Sequence, residues 1–170
     1  GALYLGYAIG LWQAPRTVVG TRIGTILIGA AAVGLLGAAA FLTDLIDPMR
    51  TNERCVGLAP PQIGVPRRVA VVDISAHPHG NDSHGLIRLG NPEVTQVSEG
   101  TKVSREGCLS LPDLTANVRR PRKATVETRG ESYEVSGFEA RCVLHEIDHL
   151  DGILFLDRVA SVTDDIFRRE

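Results

Sequence analysis

Two histidines in the last third of the chain have the spacing of metal ligands on a helix. The segment His145-Glu146-Ile147-Asp148-His149 has the pattern H-E-x-x-H. Residues four positions apart lie on one face of an α-helix, so both imidazoles can bind the same metal ion. Glu146, beside the first histidine, is placed to act as a general base toward a water molecule at that metal. The alternative is a pair of partly buried helix histidines without a metal.

A third ligand is needed, because a catalytic divalent metal usually has three protein ligands and one open position. Some H-E-x-x-H proteases supply a third histidine ten residues after the first, but this chain has Phe155 there. Other H-E-x-x-H proteases use an acidic residue further downstream, and Asp157 stands too close to suit that pattern. A downstream third ligand is therefore weakly supported.

An upstream cysteine is the better candidate for the third ligand. Cys108 lies in Glu106-Gly107-Cys108-Leu109-Ser110, a segment that we expect to be exposed or extended. A thiolate and two imidazoles form a compact tetrahedral site with one open position. The alternative is a small buried hydrophobic residue, the interpretation that we prefer for Cys55 and Cys142.

The helix that carries the histidines has recognisable ends. Ser136 stands three residues before Glu139, the spacing of a capping box, so we expect the helix to begin there. Gly152 is well placed to end it. Upstream of this helix, Val56–Gly64 is rich in glycine and proline, which predicts a loop or extended segment.

Short strands are predicted before the helix. Residues 68–74 are apolar and β-branched, and residues 86–89 and 93–97 are shorter candidates. Residues 125–128 and 133–135 flank Arg129-Gly130 and predict a hairpin. Strands followed by one strong helix predict an α+β domain.

The overall composition excludes some classes of function. Lysine and arginine do not exceed the acidic residues, and the net charge is -2, so the chain lacks the basic character of a nucleic-acid-binding protein. Three cysteines, widely spaced, do not indicate a disulfide framework. A reducing compartment is the simpler interpretation, and it leaves thiolates free to bind metal.

The first 43 residues differ in character from residues 44–170, which we interpret as one catalytic domain. Ile23–Leu42 is a run of twenty residues without a charge. As a helix it would be about 30 Å long, enough to cross a bilayer, so it is a candidate membrane helix. The alternatives are a core helix and a fused or frame-shifted segment. Thr43–Arg50 could close a helix begun in this run, with Pro48 interrupting it.

Three segments, in order, resemble the motifs of the peptide deformylases. The first is CVGLAPPQ at residues 55–62, where the family typically has G-x-G-x-A-A-x-Q; EGCLS at 106–110 and HEIDH at 145–149 follow. The resemblance covers about residues 44–160. It implies an α+β fold of small mixed or antiparallel sheets packed around a central metal-binding helix. It also implies hydrolysis of the N-terminal formyl group of formyl-methionyl nascent polypeptides, with release of formate.

The resemblance assigns roles to the residues of the metal site. It implies one divalent metal ion bound by Cys108, His145 and His149. In this family the ion is often ferrous iron, with zinc, nickel or cobalt as replacements. Glu146 would be the general acid and base.

Further roles concern the oxyanion and the substrate. The resemblance implies that Gln62 and the backbone N–H of Leu109 stabilise the oxyanion. Val56, Gly57 and Arg120 would contact the substrate. The implied partners are formyl-methionyl nascent peptides and the ribosome, in the bacterial cytoplasm or an organellar matrix, with no sequence-specific binding of nucleic acid.

Some residues depart from the family pattern. Cys55 replaces the usual first glycine, Pro60 replaces the second alanine, and Leu144 stands where a glutamine often precedes the first histidine. These changes bear on rate and pocket shape rather than on the class of reaction. Two other functions stay open: an H-E-x-x-H zinc peptidase, with a third ligand other than Cys108, and a non-catalytic, membrane-tethered metal-binding module.

Overall fold

Nine short strands and two helices form the described part of the protein. The computed structural model describes residues 38–52, 55–80 and 83–169. Two single 3-10 turns, at Pro60–Ile63 and Phe155–Arg158, complete the regular structure. The helices and strands follow one another as α1 (Ala38–Thr51), β1 (Gly57–Leu58), β2 (Val69–Val72), β3 (Ile87–Gly90), β4 (Glu93–Val97), β5 (Thr101–Cys108), β6 (Leu111–Pro121), β7 (Lys123–Thr128), β8 (Glu131–Ser136), α2 (Gly137–Leu150) and β9 (Ile166–Arg168).

The strands pair into three small antiparallel sheets. Their strand orders are β1-β2-β3, β4-β7-β8 and β5-β6-β9. The strands predicted at 68–74, 86–89 and 93–97 correspond to β2, β3 and β4. The predicted hairpin is β7-β8, and Arg129 and Gly130 both have positive φ, of 42° and 87°. Two such residues form the type I′ turn that suits the twist of a two-residue hairpin.

Two sequence predictions need correction in these elements, and one hairpin was missed. The long hairpin β5-β6, with β9 beside it, was not predicted. Val56–Gly64 is not simply a loop or extended, because its prolines, whose φ angles suit a 3-10 turn, form one that ends at Gly64 with φ 79°. Pro48 does not interrupt α1, which continues to Thr51. Pro48 lies in the last turn of α1, so a distortion caused by its ring would affect only the few residues that follow it.

Helix α2 is the centre of the fold. Every residue from Glu139 to His149 is buried, and the helix packs against β2 and β8 within the largest apolar cluster. This arrangement confirms the expected small sheets around one central helix. Because polar groups are costly to bury unpaired, the charged residues of α2 need partners inside the protein.

The two ends of α2 differ in how well they follow the prediction. At the C-terminal end, Gly152 has φ 75°, and the Ile153 N–H donates to the Asp148 carbonyl at 2.8 Å, which is the expected Schellman ending. At the N-terminal end Ser136 is the cap residue, but its side chain makes no capping hydrogen bond. The Glu139 carboxylate instead accepts hydrogen bonds from His84, so the predicted capping box is wrong.

Helix α1 packs on the first sheet. Leu45 and Met49, one turn apart, are buried with Leu58, Val69 and Val71. Among the described residues, no helix has the length and apolar character needed to cross a membrane. Most of the candidate membrane helix at 23–42 lies outside the described residues, and its residues 38–42 belong to the start of α1.

Candidate metal centre

Three donor atoms from two elements meet in the interior. Cys108 ends β5, and His145 and His149 lie one turn apart on α2. The Cys108 Sγ atom is 3.2 Å from His149 Nε2, which is 3.1 Å from His145 Nε2. All three donor atoms lie within 4.8 Å of one another, and all three residues are buried. The fold thus brings together the three ligands that the motifs predict.

A buried carboxylate orients the first histidine. Glu106 Oε2 lies 3.0 Å from His145 Nδ1, which leaves Nε2 of that ring directed at the donor cluster. Arg120 donates to the same carboxylate through Nε at 2.8 Å and Nη2 at 2.9 Å, and Arg141 also donates to it. Such a contact to the far nitrogen fixes the tautomer and ring orientation of a ligating histidine.

Arg120 does not occupy the place that the resemblance implies. Its side chain is only 5% exposed, and its remaining Nη1 donates to Asp148 Oδ2 at 2.6 Å. All of its nitrogens are engaged with carboxylates behind the histidines, and it does not line the cavity described below. The geometry places Arg120 behind the histidines, because its guanidinium is buried in ion pairs with Glu106 and Asp148 and does not line the cavity.

The donor set fits a divalent cation. Burial raises the pKa of the Cys108 thiol, but hydrogen bonds to His145 and His149 outweigh it and lower the pKa to about 5. Burial lowers the pKa of His145, whereas Cys108 and Glu106 raise it, to about 10. Both shifts favour a thiolate beside a protonated imidazole, and a divalent cation can take the place of the shared protons at such a pair. A soft thiolate with two imidazoles suits zinc, iron and similar ions.

Glu146 lies beside the donor cluster and lacks a hydrogen bond on one oxygen. Its residue exposure is 4%, and among the described residues its Oε2 atom has no hydrogen-bond partner. Burial is the main cause that raises its pKa, to about 7. An unpaired buried carboxylate oxygen is costly, so its presence beside the ligands points to a water or substrate group that it serves.

Gly57 makes room for that carboxylate. A Cβ atom at position 57 would lie 2.6 Å from Glu146 Oε1 and 2.8 Å from its Cγ, too close for real atoms. Gly57 is therefore required by the packing of β1 against Glu146, a role that the sequence did not indicate.

Gln62 approaches the cluster from the 3-10 turn. Its Oε1 accepts the Ala59 N–H at 2.8 Å, and its Nε2 is 3.2 Å from Cys108 Sγ. The first contact fixes the amide so that its NH₂ group faces the cluster. Pro60, the departure in this segment, lies at the first position of the turn, where a missing N–H costs little.

A cavity of about 250 Å³ opens onto the cluster. Val56, Gly57, Gln62 and Leu109 line it together with Cys108, His145 and Glu146. Cys55 and Cys142 also line it but lie outside the donor cluster, and burial raises the pKa of each thiol, to about 12 for Cys55. These two cysteines are thus neutral wall residues of the cavity.

Sequence analysis missed the residues behind the ligands. Glu106, Arg141 and Asp148 are buried and paired, and the exposed Arg158 donates to Asp148 Oδ1 at 2.6 Å. One signal was available: Arg141 lies four residues before His145, so a charged residue shares the face of a ligand on a buried helix.

Comparison with known proteins agrees with this geometry. The profile of the family described as Polypeptide deformylase matches residues 36–165, which extends ahead of the motifs. The chain is 42% identical over 137 residues to the peptide deformylase of Thermodesulfovibrio yellowstonii, a match that covers 76% of this chain and 81% of that one. It is 44% identical over 126 residues to that of Caldicellulosiruptor bescii, covering 69% and 70% of the two chains.

Solved structures show the same similarity. The peptide deformylase of Thermotoga maritima superimposes with a TM-score of 0.61 at 32% identity, covering 75% of this chain and 86% of that one. A class I type b peptide deformylase from Acinetobacter baumannii, with Met-Ala-Ser bound, gives a TM-score of 0.62 at 33% identity and covers 74% and 83%.

Proposed function

Because the chain belongs to the polypeptide deformylase family, we propose that Cys108, His145 and His149 bind one divalent metal ion at which an N-terminal formyl group is hydrolysed. The chain is a metal-dependent hydrolase of this family and acts on formylated polypeptides, with release of formate. Neither a zinc peptidase nor a non-catalytic module is favoured by the similarity to peptide deformylases.

One observation carries the assignment of the site. The three donor atoms lie within 4.8 Å of one another, and the adjacent Glu146 has a buried oxygen without a partner among the described residues. A purely structural site would be closed by a fourth protein ligand, whereas this one borders a cavity. The open side leaves space for water and a formyl group.

The chemistry divides between the ion and the residues around it. When bound, the ion supplies a Lewis acid that makes water a better nucleophile near neutral pH. Glu146 takes the proton of the attacking water and delivers it to the departing amine. A pKa of about 7, raised by burial, suits a group that both accepts and donates a proton near neutral pH.

Two donors meet the negative charge that develops on the formyl oxygen. Gln62 Nε2 lies beside Cys108 Sγ, and Leu109 directly follows that ligand and lines the cavity. We assign the Gln62 amide and the Leu109 N–H as the oxyanion donors. Preorganised donors of this kind cost no rearrangement during the reaction, because the contact with Ala59 already fixes the amide.

The substrate occupies the cavity with its first residue inside. Val56, which packs against the main apolar cluster, borders the site of the methionine side chain. The main chain of the peptide passes Gly57. A relative from Acinetobacter baumannii was solved with Met-Ala-Ser bound, which supports a peptide that begins with methionine as the ligand. We assign Arg120 as a positioning residue behind the histidines rather than a substrate contact.

The finer aspects of the function are proposals that rest on the resemblance to the peptide deformylases. We assign ferrous iron as the native ion, with zinc, nickel or cobalt able to replace it at a thiolate–imidazole site. The substrates are formyl-methionyl nascent chains, encountered at the ribosome in the bacterial cytoplasm or an organellar matrix. We propose residues 44–170 as the catalytic domain, with the first residues of α1, from Ala38, ahead of it. Residues 23–37, outside the described residues, stay a candidate part of a membrane helix.

A product assay tests the proposed function. The full chain, reconstituted with iron under anaerobic conditions, is given formyl-Met-Ala-Ser, acetyl-Met-Ala-Ser and an unblocked octapeptide. We expect formate release from the formyl peptide, no acetate release from the acetyl peptide and no cleavage of internal peptide bonds. Cleavage of the octapeptide would support the zinc-peptidase alternative, and no formate release from metallated protein would refute deformylation.

A further inference from the structure

Two arginines border the outer part of the catalytic cavity. Arg105, on β5, and Arg169, just after β9, line the same cavity as Cys108 and Glu146. Both arginines are exposed, whereas the metal ligands are buried. Their guanidinium groups therefore lie at the rim through which a peptide enters.

Arg169 is held close to the ligand strand by the pairing of β9. Phe167 pairs with Thr115 of β6, which in turn pairs with Gly107 of β5. Beyond this pair, the Arg169 N–H donates to the Asp113 carbonyl at 2.9 Å. Its Nη2 atom lies over Gly107, where any Cβ would collide with it. The guanidinium thus rests beside the residue that precedes Cys108.

Arg105 is fixed by an aromatic ring on the same face of that sheet. Its Cζ atom lies 3.3 Å from the centroid of the Phe167 ring, a close cation–π contact. Phe167 is two residues before Arg169, so β9 positions both guanidinium groups. The two cations therefore converge on one side of the cavity.

Neither cation is neutralised within the described part of the chain. Arg141, which also lines the cavity, pairs with Glu106, but none of the described ion pairs involves Arg105 or Arg169. The nearest catalytic carboxylate, Glu146, is buried beside the donor cluster. A cavity rim with two unpaired guanidinium groups attracts anions and presents donors suited to a carboxylate.

We propose that Arg105 and Arg169 select substrates that carry an aspartate or glutamate within the two residues after the formylated methionine. This inference rests on the proposed function, because it requires the formyl group to lie at the metal ligands. An extended peptide advances about 3.3 Å per residue, so the residues after the methionine are the first to leave the cavity over its rim. A carboxylate there can form the bidentate hydrogen bonds that guanidinium favours.

The test compares matched peptides that differ by one carboxylate. Formyl-Met-Asp-Ala and formyl-Met-Ala-Asp are compared with their asparagine counterparts, all amidated at the C-terminus so that no terminal carboxylate competes. The metallated full chain, R105Q, R169Q and the control R168Q are assayed for kcat/KM. Arg168 is exposed at the end of β9, directly before Arg169, but it does not line the cavity. Calorimetric Kd values for the same peptides on E146Q give a readout independent of turnover.

In the parent protein, we expect one of the aspartate peptides to exceed its asparagine partner about tenfold in kcat/KM. R105Q and R169Q should each reduce that ratio toward one, and R168Q should keep the parental ratio. A parental ratio of one, or a ratio that R105Q and R169Q leave unchanged, would overturn the inference. If no peptide is hydrolysed, the proposed function fails, and the Kd ratios on E146Q still decide whether the rim binds a carboxylate.

Discussion

Glu146 combines the two properties that a general acid–base residue needs. It is buried beside the ligands, and its pKa is raised to about 7, mainly by that burial. Substitution by glutamine keeps the shape of the side chain and removes the proton acceptor. We expect Glu146→Gln to retain the metal and to lose about 10²–10⁴-fold in kcat. Metal analysis and a formate-release assay on the same preparation measure the metal content and kcat. A fully metallated variant with the parental rate would mean that another base acts.

Gly57 affects the reaction through the same carboxylate. An added methyl group at position 57 would overlap Glu146 Oε1, so the carboxylate must move away from the donor cluster. We expect Gly57→Ala to keep the metal and to lower kcat by about 10²-fold, the order of loss typical of a misplaced catalytic group. Gly64→Ala is a poor control, because its φ is positive. Gly100→Ala is better, since a Cβ there meets only Arg122 at 3.6 Å.

The sequence predicted the three donor residues that the fold brings together, but not the residues behind them. His145 and His149 follow from helical spacing, and Cys108 from the chemistry of a missing third ligand. The pairing of Arg120 with Glu106 depends on the register between β5 and β6, which no local pattern reveals. The resemblance assigned Arg120 to the substrate, whereas the structure has it in a buried ion pair with Glu106.

At the scale of elements, an ionic network joins the β5-β6 hairpin to α2. Glu106 of β5 accepts from Arg120 of β6 and from Arg141 and His145 of α2. Arg120 also reaches Asp148, which Arg158 contacts from outside. Because the partners lie on β5, β6 and α2, the network fixes how the strand that ends at Cys108 packs against the helix that carries the histidines.

Breaking this network should reduce stability in a pH-dependent way. Burial raises the pKa of Glu106, but Arg120 and His145 outweigh it and lower the pKa to about 2. A carboxylate whose pKa is lowered in the folded state stabilises the fold at pH values above its usual pKa of 4.5. This contribution is lost as the pH falls toward 2. We expect Glu106→Gln to cost about 3–5 kcal/mol at neutral pH, since it leaves buried cations unpaired.

Urea unfolding of chelator-treated protein checks this expectation. The difference between parent and Glu106→Gln should shrink by about 2 kcal/mol between neutral pH and about pH 3. Glu93→Gln, at an exposed position, is the matched control and should change little at either pH. If the difference in unfolding free energy between the parent and Glu106→Gln did not change with pH, the pKa of the Glu106 carboxylate would not be lowered in the folded protein.

The polarity of their side chains explains why some strands were predicted from the sequence and others were not. Strand β2 consists of Val69–Val72, all buried, so its apolar run was recognisable. Strands β5 and β6 carry charges on both faces, since Glu106 and Arg120 are buried while Arg105 and Arg119 are exposed. The alternation of apolar and polar residues that identifies a strand is therefore absent where the functional network replaces it.

At the scale of the whole molecule, the described fold begins with α1. Leu45, Ile46 and Met49 are buried against the first sheet. Removing three buried apolar side chains costs about 1.5–3 kcal/mol each. We expect deletion of residues 1–37 to leave metal binding and kcat/KM within about twofold, and deletion of 1–51 to unfold the chain. Circular dichroism and formate release compare the two, and inactivity of the shorter deletion would place residues 1–37 within the catalytic fold.

We propose that Cys108, His145 and His149 bind a single ion on which deformylation depends. Titrating metal-free full-length protein with cobalt measures it most directly, with thiolate-to-cobalt absorbance and formate release followed together. We predict that both signals rise in parallel and saturate at one ion per chain, and that Cys108→Ala lacks the absorbance and the activity while Cys142→Ala retains both. Parental absorbance and activity in Cys108→Ala, or activity in the metal-free protein, would contradict the claim.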